Sequence, residues 1–331
     1  MESIKHETSS YEDTKRGTFG GIRVAAVQAE SVFLDLERTT NKACKLIEEA
    51  AEKGADLIAF PECFVPSFPN WYELHGENNL TRNLDKELFK HSVEMNGQHI
   101  QKIAEACSKG NINAVLGINE RIAGTTGTMY NTQVYIQRDG TIAGKHQKYV
   151  PTTGERFIHA PGNTGYYNAY KTNFGTVSGL ICGENSNPLG QYAAATSHPV
   201  VHVASWPAFF GPIMPMHHAI ESASAGLAYS LKCFVVSAVA RISDDLIEAI
   251  GIDDTSRDYL KEQQSLKKGA VIFDPIGRII AHGDGNESDL LFADINLEDC
   301  IIPKLIQDFA GHYNRPEVFA PLFSKHVETL V

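Results

Sequence analysis

The chain is poor in the patterns that would place it in several large classes of protein. Its six cysteines (Cys44, Cys63, Cys107, Cys182, Cys233, Cys300) form no C-x-x-C pair and no short Cys/His spacing. That excludes a disulfide framework and a zinc site, and it fits a reducing compartment. No stretch approaches the ~18 to 20 consecutive apolar residues of a membrane span. Positive charge is also scarce: 29 Lys and Arg against 40 Asp and Glu leave a net charge of −11. With no basic cluster interleaved with aromatics, neither nucleic acid nor an anionic membrane is expected as a partner. Residues 1–20 are polar and lack an apolar core, so they read as a disordered leader rather than a secretory signal, and a cytoplasmic location is expected. No dinucleotide fingerprint is present, and the pair His217-His218 lacks a third ligand at usable spacing. Neither a cofactor nor a metal is expected.

Against these absences stands an ordinary globular composition, 43% hydrophobic and 21% charged over 331 residues, ample for a core without staples. The apolar run at residues 22–28 and a second at 56–60 flank a helical pattern at 35–53 that Gly54 stops, which makes a βαβ unit. Residues 64–84 are rich in Pro, Asn and aromatics and read as a loop. Helical periodicity over 88–108 precedes a strand at 114–118 and a hairpin (130–137 and 141–146) turning at Arg138-Asp139-Gly140. Residues 151–173 read as a further loop.

The second half repeats this grammar. A strand at 176–181, a short helix, a strand at 200–205, a helix at 217–232 and a strand at 234–240 lead to a hairpin around Asp274-Pro275-Ile276-Gly277 and a last strand at 290–295. Residues 241–266 read as a polar, acidic insertion, and residues 305–331 as a surface arm. Crossovers mixed with hairpins point to an α/β protein with two sheets face to face and helices outside.

Three strand ends carry reactive side chains. The run ending at Ile181 delivers Cys182 to a turn, Gly183-Glu184-Asn185-Ser186-Asn187-Pro188, ahead of a helix. Glu62 follows Phe60-Pro61 at the end of another apolar strand, and Lys148 closes the hairpin strand. Taken singly, each is an ordinary core cysteine, loop glutamate or surface lysine. Together, at the carboxyl ends of strands where α/β sheets place their sites, they supply a thiol, a base and a fixed positive charge. A thiol near pKa 8.5 needs a base close to neutral pH, and a buried lysine stabilises charge developing on the reacting atom. Cys63, a rival thiol beside Glu62, lacks the following glycine and helix and is assigned to packing.

The segments Phe60-Pro61-Glu62, Lys148-Tyr149-Val150-Pro151-Thr152 with Gly154-Glu155-Arg156, and Cys182-Gly183-Glu184-Asn185 resemble the Glu, Lys and Cys signatures of the nitrilase (carbon–nitrogen hydrolase) superfamily. Asn187-Pro188-Leu189, His202-Val203-Ala204-Ser205-Trp206-Pro207 and Gly311-His312-Tyr313-Asn314-Arg315-Pro316-Glu317 resemble its nitrilase branch. The resemblance implies a four-layer α-β-β-α sandwich spanning residues 21–323 as one catalytic domain, with 324–331 as a tail, assembled into a homodimer or larger homo-oligomer. It implies Cys182 as nucleophile, Glu62 as general base, Lys148 as stabilising acid and Glu155 as a second glutamate beside them. The implied reaction is hydrolysis of a small organic nitrile to acid and ammonia through a Cys thioimidate and thioester, with amide as a by-product. Tyr72, Gly183, Asn185 and Trp206 are candidate substrate-binding residues.

The chain departs from the family pattern at two places. Gly183 stands where relatives often carry Trp, which widens that wall of the pocket. Phe157-Ile158-His159-Ala160 stands where a Trp-Gly pair is common. An aliphatic amidase or N-carbamoyl amide hydrolase on the same scaffold, and a homologue that has lost catalysis, are the alternatives.

Overall fold

The computed structural model describes residues 19–211, 215–266, 269–284 and 288–330. Most of the expected leader, residues 1–18, lies outside the described residues.

Among the described residues, twelve strands form two six-stranded sheets. The first contains β1 (Gly21–Val27), β2 (Leu57–Ala59), β3 (Asn113–Arg121), β4 (Met129–Ile136), β5 (Ile142–Gln147) and, added from the far end of the chain, β12 (Leu290–Asn296); its order is β12-β1-β2-β3-β4-β5. The second contains β6 (Ala169–Thr172), β7 (Gly175–Ile181), β8 (Val201–Trp206), β9 (Phe234–Val239), β10 (Val271–Phe273) and β11 (Ile279–His282), in the order β11-β10-β9-β8-β7-β6. Read from the β12 edge and from the β6 edge, the two sheets have the same succession of pairings: antiparallel, parallel, parallel, antiparallel, antiparallel. The repeated grammar of the sequence is thus a repeated topology.

The strands read as unbroken apolar runs because both of their faces are covered. Side chains alternate across a strand, and the alternation is visible here. Val24, Ala26, Leu57, Ala59 and Val115 face the second sheet and share its core with Val177, Ile181, Val201 and Val203. Their neighbours Ala25, Val27, Ile58, Phe60, Ala114 and Leu116 face outward, onto helices. Those helices are α1 (Leu36–Glu52) and, beyond the short α2 (Trp71–Leu74) and α3 (Asn79–Lys90), α4 (Gln98–Gly110). Helix α1 starts where the Asp35 carboxylate accepts the Arg38 N–H at 2.9 Å, and it buries the stripe Thr39, Ala43, Leu46, Ile47 and Ala50. On the other sheet, α5 (Pro188–Ala195) and α6 (Met216–Leu231) cover the outer face, with Ile220, Leu227 and Leu231 in the core.

Several expectations change. The supposed loop at 64–84 holds α2 and the start of α3, which opens on an Asn78 cap accepting from Leu80 and Thr81. The single helix expected over 88–108 is the end of α3 and all of α4. The loop at 151–173 contains the edge strand β6. The acidic stretch 241–266 is not a loop: it forms α7 (Asp244–Ile250) and α8 (Asp254–Ser265), which bury Leu246, Ile247, Ile250 and Leu260. The arm expected from residue 305 lies at the surface; it takes in the end of α9 (Ile301–Ile306), a non-helical stretch at 307–315 and α10 (Pro316–Leu330). The tail expected over 324–331 continues α10 as far as Leu330. Among the described residues, no helix is long and apolar enough to cross a membrane.

Candidate active site

Glu62, Lys148, Glu155 and Cys182 come from four different segments, and the two-sheet architecture brings them to one end. Glu62 lies three residues beyond β2, Lys148 immediately after β5, and Cys182 immediately after β7. Glu155 sits in the 3-10 turn Thr153–Phe157, and Cys182 opens another, Cys182–Ser186. The strand ends are tied across the gap between the sheets. The Glu62 N–H donates to the Trp206 carbonyl at 3.3 Å, and the Ser205 hydroxyl donates to the Phe60 carbonyl at 2.8 Å.

The backbone at this end is held in conformations that side-chain-bearing residues rarely adopt. Cys182 has φ 51°, Cys63 φ 48° and Thr153 φ 38°. Cys182 is a site residue, Cys63 directly follows Glu62, and Thr153 lies two residues before Glu155. Left-handed backbone at a non-glycine residue costs about 1–3 kcal/mol and persists only where packing enforces it. At Cys182 the enforcement is visible. Asn185 Nδ2 donates to the carbonyls of Leu180 (3.2 Å) and Cys182 (2.9 Å). The Glu184 carboxylate accepts the Ile181 N–H at 3.0 Å and meets His146 Nε2 at 2.9 Å. It also accepts the Tyr149 N–H, so Glu184 binds the Cys182 turn to both residues flanking the Gln147-Lys148 pair.

Three charged side chains are buried together. Glu62, Lys148 and Glu155 are 1–2% exposed. Lys148 Nζ donates to Glu62 Oε1 at 2.7 Å and to Glu155 Oε2. Asn131 Nδ2 bridges the two carboxylates, 2.7 Å from Glu62 Oε1 and 2.8 Å from Glu155 Oε1. Glu155 Oε2 also accepts the Thr152 N–H at 3.0 Å, and its Oε1 faces His159 Nδ1 at 3.3 Å. Among the described residues Glu62 Oε2 is buried and has no partner.

Electrostatics follow from these contacts. Burial pushes the Glu62 carboxyl up, the Lys148 ammonium pulls it back, and it settles at about 7. Burial opposes the charged form of Glu155 too, but Lys148 and His159 outweigh it and hold this carboxyl well below the usual range. For Lys148, burial favours loss of the proton, yet Glu62 and Glu155 together keep the ammonium well above its ordinary value. Burial first, and the Glu62 charge second, drive the Cys182 thiol well above 9; Lys148 and the Gly183 N–H act the other way. The resting site therefore holds a protonated thiol in electrostatic contact with a carboxylate that titrates near neutrality and has one oxygen free. That pairing permits proton transfer from sulfur to Glu62 and attack by the resulting thiolate, with Lys148 as a fixed positive charge.

A crevice of about 20 Å³, room for about one water, reaches Glu62 between Ser67, Phe68, Asn70, Ala208 and Ser243. It shares Ala208, Ala240, Arg241 and Ser243 with a larger cavity of about 370 Å³. Cys182 and Lys148 line neither space.

The pocket candidates fare differently. Gly183 is exposed, and a Cβ added there would meet nothing within 4 Å. Asn185 is fully buried and its amide is committed to the turn, its Oδ1 facing His202 Nε2 at 3.0 Å. Tyr72 stacks on Phe157 with centroids 4.8 Å apart and donates to Asp85 at 2.8 Å. It lies so close to the Glu155 turn that a Cβ on Gly154 would fall 2.2 Å from the Tyr72 Cβ. Trp206 is buried, its indole N–H without a partner among the described residues. Cys63 is fully buried, its thiol directed to the Ile118 carbonyl at 3.8 Å, and burial pushes it well above its ordinary value. Asn131, His159 and Glu184 were not anticipated. The available signal for Asn131 was three polar residues in a row, Asn131-Thr132-Gln133, in a hairpin strand whose neighbours are apolar; all three are fully buried.

The carbon–nitrogen hydrolase family profile matches residues 23–301. An aliphatic nitrilase of Rhodococcus rhodochrous is 32% identical to this chain, the match covering 91% of this chain and 79% of the relative. A nitrilase of Bacillus sp. (strain OxB-1) is 33% identical, with 92% and 88% covered, and an arylacetonitrilase of Aspergillus oryzae is 30% identical, with 90% and 89% covered. Among solved structures, Saccharomyces cerevisiae Nit3, a member of branch 10 of the nitrilase superfamily, superposes with a TM-score of 0.66 at 19% identity, covering 90% of this chain and 99% of that one. A carbon–nitrogen hydrolase from Helicobacter pylori G27 gives a TM-score of 0.67 at 17% identity, with 87% and 94% covered. Both structural likenesses concern the fold.

Proposed function

The chain belongs to the carbon–nitrogen hydrolase family, on its nitrilase branch, and we propose that it hydrolyses an organic nitrile to the carboxylic acid and ammonia with Cys182 as nucleophile. The observation that carries this reading is the coupling of a buried thiol, on a strained turn, to a carboxylate with a free oxygen and a pKa of about 7.

In this mechanism the Cys182 proton passes to Glu62 Oε2 while sulfur bonds to the nitrile carbon. Glu62 passes that proton to the nitrile nitrogen, and a thioimidate forms. A first water gives a proton to Glu62 and adds to the C=N carbon, giving a tetrahedral species. Glu62 hands this proton to the nitrogen and relays the proton of the new hydroxyl after it, so that ammonia departs as the C–O double bond forms and a thioester remains. A second water, activated in the same way, releases the acid and restores the thiol. Lys148 stabilises negative charge on the reacting nitrogen or oxygen, and Glu155 holds Lys148 in place. Expulsion of sulfur instead of ammonia from the tetrahedral species gives the amide. No step calls for a cofactor.

Residues 21–323 act as one catalytic domain, since both sheets feed a common core. The substrate is a small molecule whose reacting end approaches beside Gly183. We assign the protein to the reducing interior of the cell, in keeping with its six buried free cysteines. Exposed apolar residues on α9 (Ile302, Leu305, Ile306) and α10 (Val318, Phe319, Leu322) make a surface that a second copy of the chain would cover, which supports a homodimer or a larger homo-oligomer.

The test is a panel of nitriles and matched amides with ammonia, acid and amide quantified. Nitriles should turn over with acid as the main product, and a Cys182 adduct should appear in the mass spectrum of the quenched reaction. Faster turnover of amides would move the protein to the amidase reading, and a chain that forms no adduct and releases no ammonia would be an inactive homologue.

A further inference from the structure

We infer that His202 is a positioning residue for Cys182, fixing through Asn185 the strained turn that carries the thiol, a role that rests on Cys182 being the nucleophile. Strands β7 and β8 run parallel with Ser178 opposite His202. Both residues are fully buried, in strands whose other side chains are mostly apolar, and a buried polar group is costly unless it is hydrogen-bonded. The Ser178 hydroxyl meets His202 Nδ1 at 2.8 Å, and His202 Nε2 lies 3.0 Å from Asn185 Oδ1. The orientation of the Asn185 amide is fixed, because its Nδ2 donates to the carbonyls of Leu180 (3.2 Å) and Cys182 (2.9 Å). Its Oδ1 can only accept, so the hydrogen between the two residues belongs to His202 Nε2. Nδ1 then keeps a lone pair, to which the Ser178 hydroxyl donates. Burial, with His146 acting in the same direction, pushes the His202 pKa down to about 3. The ring is therefore neutral near physiological pH, and its single N–H is spent on Asn185.

This chain of contacts ends on the nucleophile. The two carbonyls that Asn185 holds bracket the Ile181-Cys182 peptide, and with it the left-handed backbone of Cys182, φ 51°. Such a backbone relaxes unless its surroundings enforce it, and a displacement of about 1 Å in a reacting group can cost about a hundredfold in rate. The turn is anchored to both sheets. Glu184 ties it to His146 on β5 of the first sheet, and Asn185 ties it to His202 on β8 of the second. Removing the imidazole N–H leaves Asn185 Oδ1 buried without that donor, at the cost of a lost buried hydrogen bond. The amide is then free to turn over, and both carbonyls lose their hold on the turn.

The test compares the full-length wild type with His202→Leu, which fills the space without an N–H, and His202→Gln, whose side-chain amide carries an N–H to the place of Nε2. Ammonia release from a nitrile gives kcat and KM. Alkylation of Cys182 by iodoacetamide, followed by mass spectrometry, gives a rate and an end point. In His202→Leu, kcat should fall about ten- to a hundredfold with KM within about threefold of wild type. Alkylation should slow but still reach every chain, which separates a displaced thiol from a smaller folded fraction. His202→Gln should recover most of kcat and of the alkylation rate. Wild-type kcat in His202→Leu, equal losses in the Leu and Gln variants, or a loss matched by a fall in the alkylated fraction would overturn the inference. Should His202→Leu not fold, ring nitrogen spectra of the wild type labelled with 15N-histidine decide it. A ring protonated at Nε2 alone, absent from the His202→Gln spectrum, supports the assignment, and a ring protonated at Nδ1 refutes it. Alkylation needs no nitrile, so a wild type that alkylates at Cys182 without turning over nitriles would fail the proposed function and leave this comparison intact.

Discussion

The pKa of Glu62 makes the sharpest prediction. An ordinary glutamate titrates near 4.3 and is fully ionised above pH 6. Glu62, desolvated and only partly compensated by Lys148, titrates at about 7. At pH 6 about one molecule in eleven then carries the base form, and at pH 8 about ten in eleven, so kcat/KM should rise about tenfold across that interval. The thiol and the Lys148 ammonium both titrate well above their ordinary values, so the profile should stay level to at least pH 9. Measuring ammonia release at low substrate from pH 5 to 10 in constant ionic strength gives the limb directly. Glu62→Gln keeps the Asn131 and Lys148 geometry nearly isosteric but removes the base. It should lose two to four orders of magnitude, and its residual rate should show no limb near 7. A wild-type limb near 4 to 5, or a Glu62→Gln variant with the wild-type profile, would refute the assignment of the base.

Other substitutions separate chemistry from architecture. Cys182→Ala should bring turnover below detection with the melting temperature within a few degrees of wild type, as measured by ammonia assay and calorimetry; substantial activity would end the nucleophile assignment. Gly117→Ala should damage the site from the strand beneath it. Its Cβ would fall 2.0 Å from the Pro61 carbonyl and 2.9 Å from the Cys63 N–H, so we expect about 1–3 kcal/mol of destabilisation and a loss of at least tenfold in kcat/KM. Gly183→Ala, which meets open space, is the control and should melt like the wild type. His202 supplies a stability test. Burial pushes its pKa down to about 3, so the unfolded chain takes up a proton below ~6.5 that the native state refuses. Its contribution is complete above pH 6.5 and fades as pH falls toward 3. Melting temperatures of wild type should therefore drop more steeply from pH 6.5 to 4.5 than those of His202→Gln, and parallel curves would contradict the reasoning.

Much of this architecture was legible because strands covered on both faces must be apolar throughout, and eleven of the twelve described strands stand out as such runs or as hairpins, β6 being the exception. What was not legible has a common cause. Helices α7 and α8 were hidden by their own start signals. Ser243 caps Leu246 at 3.1 Å, and Asp253 caps Ser256 at 2.7 Å. Asp244, Asp245 and Asp254 then sit in first turns, where acids favour a helix. Read without the caps, this acidity looks like a loop. Within the proposed site, Glu62, Lys148 and Cys182 could be singled out because reactive types stood at strand ends. Asn131 and His159 could not, because an asparagine inside a strand and a histidine after a turn gain meaning only when the carboxylates they face are placed.

The repeated topology offers two matching sets of strand ends, and among the described residues only one of them gathers the thiol, the lysine and the carboxylates. Counting from the paired residues Val24–Leu57 and Val177–Val201, Glu62 and Trp206 occupy matching positions, and the N–H of the first donates to the carbonyl of the second. Strand β5 runs out into Lys148, whereas its counterpart β11 runs out into Gly283. Strand β7 runs out into Cys182, whereas its counterpart β1 runs out into Gln28. At this second set of strand ends, Gln28 accepts the Ala270 N–H at 3.1 Å and donates to the Ser288 carbonyl at 2.8 Å. It fills the space so tightly that a Cβ on Gly283 would lie 1.8 Å from its Oε1. A lysine at Gly283 has no room, and without it a carboxylate there would be buried unpaired, at a cost of several kcal/mol. Gln28 therefore closes with neutral hydrogen bonds the place where the other half keeps its buried charges. The twofold scaffold carries its chemistry only where Lys148 balances the carboxylates.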